Sequence, residues 1–191
     1  MCIDHLSVFG SKKTGIGDEK ESILCDFRQS AFSGVFIALS SKGVCAVLLG
    51  QDETILRQEF IRRFPNALFK KSITSHYRKM DWIFSLIETY KDHFGEIPLD
   101  IRGSEFQQLV WRALREIPYG NMATYSEIAK KIAAPGSARA VAGACRANPI
   151  AILVPCHRVV AKNNTLSGYR WGVAVKRRLL ELETRNAKLE I

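Results

Sequence analysis

The sequence of 191 residues predicts a two-part α+β protein. A small sheet-and-helix N-terminal part is followed by a mainly helical C-terminal part with a helix-turn-helix. Three observations carry this. Two apolar runs, Val35 to Leu39 and Val44 to Leu49, are split by Ser40-Ser41-Lys42-Gly43, the pattern of a hairpin. Two capping-box sequences, Ser104-Glu-Phe-Gln107 and Thr124-Tyr-Ser-Glu127, open helices in the second half. The charge is also uneven. The net charge is +9, yet residues 1–100 hold 13 basic and 13 acidic side chains, so the whole excess falls in residues 101–191, with 15 basic and 6 acidic.

Taken in order, residues 1–30 are rich in Gly, Ser and Lys and are expected to form a loose extension or an irregular edge. The hairpin follows, with Cys45 as a small buried hydrophobe. Asp52 to Phe64 sets Ile55, Leu56, Phe60, Ile61 and Phe64 at helical spacing, and Pro65 ends it. Ser75 to Tyr90 is a second helix with Trp82, Ile83, Leu86 and Ile87 on its apolar face. Phe94 to Asp100, with Gly95 and Pro98, reads as a strand or connector. A boundary near Asp100 divides a domain of residues 31–100 from one of residues 101–191. The first capping box opens a helix with Phe106, Val110, Ala113 and Leu114 on one face, broken at Ile117-Pro118-Tyr119-Gly120-Asn121. The second opens a helix to about Ile132. After the turn Ala133-Ala134-Pro135-Gly136, Ser137 is expected to cap a third helix to about Arg146. Helix, short turn, helix suggests a helix-turn-helix, a pattern shared by many helical hairpins. Ile150 to Val154 reads as a short buried strand, and Val173 to Glu183 as the last helix.

Composition excludes several classes. A hydrophobic content of 47% is too high for a disordered chain. No apolar run approaches the roughly 20 residues that span a bilayer. The first residues lack the apolar stretch of a secretory signal. Cys2, Cys25, Cys45, Cys145 and Cys156 are odd in number and irregularly spaced, which suits reduced thiols in the cytoplasm. Cys2, His5, Cys25, Cys45 and His76 match no compact metal motif, so no metal is expected. Between Ile128 and Leu180 stand ten Lys/Arg and no Asp or Glu, the footprint of a polyanion partner.

Two segments carry chemistry. Arg139-Ala-Val-Ala-Gly-Ala-Cys-Arg146 sets small side chains between two arginines. A helix reading base edges in the major groove would carry more Asn, Gln or Arg. This one suits close approach to a surface, or equally tight packing against a sheet. In Val154-Pro155-Cys156-His157-Arg158, a thiol beside an imidazole and a guanidinium is placed for a lowered pKa and nucleophilic attack. The alternative is a buried Cys next to a structural His. In an extended chain Cys156 and His157 would point apart, so they need a turn at Pro155 or a bridging water.

Together these segments resemble the methylated-DNA–protein-cysteine methyltransferases, also called O6-alkylguanine-DNA alkyltransferases. The resemblance covers residues ~32 to 185 and is strongest from Phe106 to Glu183. It is carried by Pro155-Cys-His-Arg-Val159, Arg139-Ala-Val-Ala-Gly-Ala, Arg146-Ala-Asn-Pro149, Thr124-Tyr125 and Gly168-Tyr169. Gly43 to Gly50 also resembles the bacterial members. The resemblance implies a ribonuclease-H-like N-terminal domain and a helix-turn-helix that enters the minor groove of double-stranded DNA. It implies transfer of an alkyl group from O6-alkylguanine, and possibly from O4-methylthymine, to Cys156 after base flipping.

The resemblance makes His157 a general base through a water, oriented by Glu183. Tyr125 would assist departure of the guanine, and Asn148 would tie the helix-turn-helix to the active-site segment. Arg139 would fill the gap left by the flipped base. Ala140, Gly143, Ala144, Arg146 and Ser126 would meet DNA, and Pro155, Val159, Tyr169 and Arg170 would form the pocket. Arg158 would shape the thiol's surroundings, while Lys176, Arg177 and Arg178 would face solvent or phosphate. No cofactor is implied, a monomer is expected, and no second thiol is placed to resolve the thioether. Arg170 and Trp171 stand where some members carry smaller residues, which implies a narrower pocket that favours methyl over benzyl. The rival classes are a cysteine hydrolase, which leaves the basic half unexplained, and a non-catalytic damage-binding protein, which leaves Pro155-Cys-His-Arg158 unexplained.

Overall fold

The computed structural model describes residues 21–71, 77–90, 97–163, 165–166 and 168–187. Strands β1 (Glu21–Gln29), β2 (Gly34–Leu39), β3 (Val44–Leu49) and β4 (Ala67–Lys71) form one sheet in the order β3-β2-β1-β4. The predicted hairpin is β2–β3. β1 runs antiparallel to β2 and parallel to β4. The loose extension expected over residues 1–30 is therefore corrected, because residues 21–29 are an interior strand; residues 1–20 lie outside the described residues. Ile23 and Cys25 are fully buried, and the charged residues around them are paired. Arg28 bonds Asp26 and Asp81, and Glu21 bonds Arg102. Those charges hid the strand's alternation.

β2 and β3 are apolar throughout because both faces of the sheet are covered. On one face Phe36, Ala38, Cys45, Ala46 and Leu48 meet Leu56 and Phe60 of α1 (Glu53–Arg63). On the other, Val35, Ile37, Val44, Val47 and Leu49 join a core that includes Met80, Ile83, Phe84 and Ile87 of α2 (Tyr77–Thr89) and runs on to Leu179. Ile55, Ile61 and Trp82, expected on buried faces, are 59%, 41% and 39% exposed; the inward stripe falls one residue away.

In the second half, α3 (Glu105–Arg115) and α4 (Tyr125–Lys131) start at the two predicted capping boxes, with both reciprocal bonds made in each. α5 (Ala138–Ala147) follows, but Ser137 makes no side-chain cap: its ψ of 20° is not the extended geometry of an N-cap. α3 packs on α5, and the buried Trp111 donates from Nε1 to Ala144 O at 2.8 Å. The strand expected at Ile150 to Val154 is instead a buried run of turns, with Ile152 at φ 68°. Within this segment Ile150 alone is bridged, to Val47, because Asn148 Nδ2 donates to the carbonyls of Ile150 and Val154 and curls the chain. β5 (Ala123–Thr124) pairs in parallel with β6 (Val159–Val160), joining the start of α4 to the reactive segment. α6 (Val173–Ala187) ends the described chain.

Candidate active site

Cys156 opens a single 3-10 turn, Cys156–Arg158, directly after Pro155. This turn replaces the extended chain that would have sent Cys156 and His157 to opposite sides. Cys156 is 3% exposed, and Asn148 Nδ2 lies 3.2 Å from its sulfur. The expected lowering of the thiol pKa is corrected. Burial pushes it up to about 11, and the Asn148 bond and the Lys176 charge offset only part of that. The sequence offered two cations next to the thiol, but neither serves it. Arg158 turns to Glu183, with Nε 3.1 Å from each carboxylate oxygen and Nη1 2.6 Å from Ile117 O. Burial lowers the His157 pKa, with Glu183 opposing, so the imidazole is neutral.

Glu183, wholly buried, gathers this centre. It lies 2.7 Å from His157 Nε2, and it accepts from Tyr90 Oη at 3.1 Å and from the Gly120 N–H at 3.0 Å. Burial raises its pKa, but the His157 hydrogen bond, the Arg158 charge and the Gly120 N–H outweigh that and hold it below the usual value. An ionised Glu183 already paired with Arg158 needs no second cation. His157 therefore carries its proton on Nε2, facing the carboxylate, and keeps a lone pair on Nδ1. That Nδ1 is buried with no hydrogen-bond partner among the described residues. It is the one nitrogen able to accept a proton.

Lys176 corrects another expectation. It does not face solvent: it is fully buried and donates from Nζ to Val159 O at 2.6 Å. Burial lowers its pKa, with Cys156 and Cys145 pulling the other way. A readable signal existed, since Lys176, Leu179 and Glu183 lie on one face of α6 at spacings of three and four. Tyr90 had no comparable signal; only the fold brings it to His157 and Glu183.

A cavity of about 530 Å³ opens over the sulfur, lined by Tyr125, Ala142, Cys145, Arg146, Cys156, Gly168, Tyr169 and Arg170. Tyr125, Tyr169 and Arg170, named above as site residues, are among them. Pro155 and Val159, expected there, are buried outside this lining, Val159 with its backbone in β6. Cys145 was overlooked as a second thiol in the cavity. Burial first, and then Cys156, push its pKa far up, so it stays protonated and unreactive. On α5, Arg139, Ala140, Gly143 and Arg146 share one exposed face, and Ser126 is exposed at the start of α4. Ala144 is corrected: at 3% exposure it belongs to the inward stripe with Val141, Cys145 and Asn148, where its small size lets Trp111 reach the backbone. Cys25 and Cys45 are buried free thiols; Cys2, His5 and His76 lie outside the described residues.

A family model described as the DNA-binding domain of 6-O-methylguanine DNA methyltransferase matches residues 105–185. A solved structure of Mycobacterium tuberculosis O6-methylguanine methyltransferase is similar at a TM-score of 0.69 and 34% identity, covering 85% of this chain and 93% of that one. The chain belongs to the O6-methylguanine methyltransferase family. The chain is also similar to the bifunctional transcriptional activator/DNA repair enzyme Ada of Escherichia coli, 47% identical over 153 residues, 78% of this chain and 42% of that protein. The methylated-DNA–protein-cysteine methyltransferase of Mycobacterium tuberculosis is 53% identical over 96 residues, 50% of this chain and 58% of that protein. The chain thus spans about half the length of these curated relatives. The matched region of the family model includes Cys156, His157 and Glu183.

Proposed function

We propose that this protein repairs alkylated DNA by moving the alkyl group of O6-methylguanine onto its own Cys156, once per molecule. The observation that carries the reading is the buried Cys156–His157–Glu183 centre on the floor of a cavity beside the exposed Arg139–Arg146 face of α5. α4 and α5 are read as a helix-turn-helix laid into the minor groove, and the sheet with its helices as a ribonuclease-H-like part. Small Ala140 and Gly143 allow close approach, Arg139 takes the space of the flipped base, and Arg146 and Ser126 meet the backbone.

With a pKa near 11, Cys156 rests as the thiol, so attack needs a base. His157 Nδ1 takes the proton through a bridging water while Glu183 and Arg158 hold the ring. Sulfur forms its bond to the alkyl carbon as the O6–carbon bond breaks. Tyr125 donates toward the guanine ring nitrogen, and the thiol proton finally resides on the restored guanine. The thioether that remains is inert, and Cys145 is held too far toward the protonated thiol to reopen it. The reading takes the protein to act as a monomer. Free buried cysteines suit a reducing compartment, the cytoplasm.

The test is duplex DNA bearing labelled O6-methylguanine, followed by digestion of the protein. One label per molecule on the Cys156 peptide is expected, and Cys156→Ala should abolish it while keeping DNA affinity. Repeated turnover would point to a hydrolase, and binding without label to a damage sensor.

A further inference from the structure

Arg170 lines the cavity and joins the end of α5 to α1. Its Nη1 lies 3.3 Å from Asn148 O and 3.5 Å from Arg146 O, at the C-terminal end of α5. Its Nη2 bonds Glu59, which belongs to α1 on the far side of the sheet domain. Glu59 also lies 3.8 Å from Arg63, whose Nη1 donates to Ala147 O at 3.2 Å. One carboxylate therefore sits between two arginines that together take up the last carbonyls of α5. The Glu59–Arg170 pair is mostly sheltered, with side chains 24% and 15% exposed. The chain around Arg170 has pivots on both sides: Gly168 and Gly172 have φ of 38° and 96°, with open space where a Cβ would stand.

We propose that Glu59 is a positioning residue for alkyl transfer: by holding Arg170 it fixes the distance between the 168–172 segment and α5, and so the size of the O6 substituent admitted. This rests on the alkyl-transfer reading above. Without the carboxylate, the like charges of Arg63 and Arg170 face each other uncompensated, as the downward pull of Arg170 on the Arg63 pKa already indicates. The repulsion drives Arg170 off the α5 carbonyls, and the segment swings on its two glycines. The cavity widens, which matters more for a benzyl than for a methyl group.

The experiment measures second-order rate constants for Cys156 alkylation by O6-methylguanine and O6-benzylguanine in duplex DNA, read by intact mass. Glu59→Gln should raise the benzyl-to-methyl ratio by about fivefold, the scale of one partly sheltered ion pair. Arg170→Gln should raise it similarly, and the double variant should go no further, since the two residues act as one unit. Adding Arg63→Gln to Glu59→Gln should bring the ratio back toward wild type by removing the repulsion, which a merely structural role for Glu59 would not do. Glu59→Asp, which keeps the charge, should stay close to wild type and serves if the Gln variant does not fold. An unchanged ratio in Glu59→Gln, or in Arg170→Gln where the former does not fold, overturns the inference. So do effects that multiply in the double variant. If wild-type protein takes up neither alkyl group, the functional reading fails instead.

Discussion

Tyr90 and Glu183 stand 93 positions apart in sequence, yet Tyr90 Oη donates to Glu183 Oε1 at 3.1 Å while lying 3.0 Å from His157 Nε2. The phenol is buried, and burial followed by the Glu183 charge keeps it protonated. It acts as a neutral brace that fixes the carboxylate and leaves the imidazole proton in place. Tyr90→Phe should therefore leave DNA binding unchanged and slow alkyl transfer about three- to tenfold, the range of an outer hydrogen bond to a catalytic ligand. Single-turnover rates at saturating DNA test this, and an unchanged rate would remove Tyr90 from the centre.

Glu183→Gln should act on both chemistry and stability. The amide NH₂ can face Nε2 and turn the tautomer over, so the rate should drop about a hundredfold, within the range of general-base effects. Arg158 would lose its counter-charge while buried, at a cost of about 3–5 kcal/mol. Urea unfolding and single-turnover kinetics on the same preparation should show both losses.

The two shifted pKa values give the pH profile a definite shape. His157 must be neutral to accept a proton, and its pKa is held below the ordinary 6.5. Transfer should persist at and somewhat below pH 6.5 and fall only at lower pH. No rising limb is expected near pH 9, the ordinary thiol value, because Cys156 stays protonated to about 11. Stability follows the same signs. The unfolded chain binds the His157 proton first, so this contribution is full above pH 6.5 and is lost as pH falls toward the folded value. Glu183 repeats this below 4.5. Cys156 contributes below pH 9 and loses its contribution as pH rises toward 11. A rate that climbed tenfold between pH 7 and 9 would show a free thiolate at work instead.

The net charge of +9 overstates what DNA can use. Lys176 is buried on Val159 O, Arg158 on Glu183 and Ile117 O, and Lys131 pairs with Glu116 at 2.9 Å. The slope of log affinity against log salt should correspond to about three to five phosphates. Arg146→Ala should reduce that slope by about one contact and Arg139→Ala should weaken base extrusion, whereas Lys176→Met should leave the slope alone and slow transfer by removing a charge that favours the thiolate. A slope near nine contacts would contradict this division.

What was legible in the sequence was local. Ser104/Gln107 and Thr124/Glu127 speak to each other within one turn, so both helix starts could be read. The hairpin of Val35–Leu39 and Val44–Leu49 and the run Pro155-Cys-His-Arg158 are equally short-range. What was hidden depends on the third dimension. β1 was obscured because its charges find partners far along the chain. The spacing of Lys176 with Leu179 and Glu183 was legible, but the carbonyl of Val159 in β6 that satisfies a buried ammonium was not. The sign of the Cys156 shift was reversed because desolvation cannot be seen in a list of neighbours, and two adjacent cations look helpful until Glu183 claims one and burial neutralises the other.

Asn148 ends α5 and touches the sulfur of Cys156 with the same amide that holds the carbonyls of Ile150 and Val154. The α5 face proposed to meet DNA and the proposed reacting sulfur are thereby joined through one side chain. Fraying the last turn of α5 would carry this amide off the sulfur and change the surroundings of the thiol, so on the proposed reading helix order and reactivity rise and fall together.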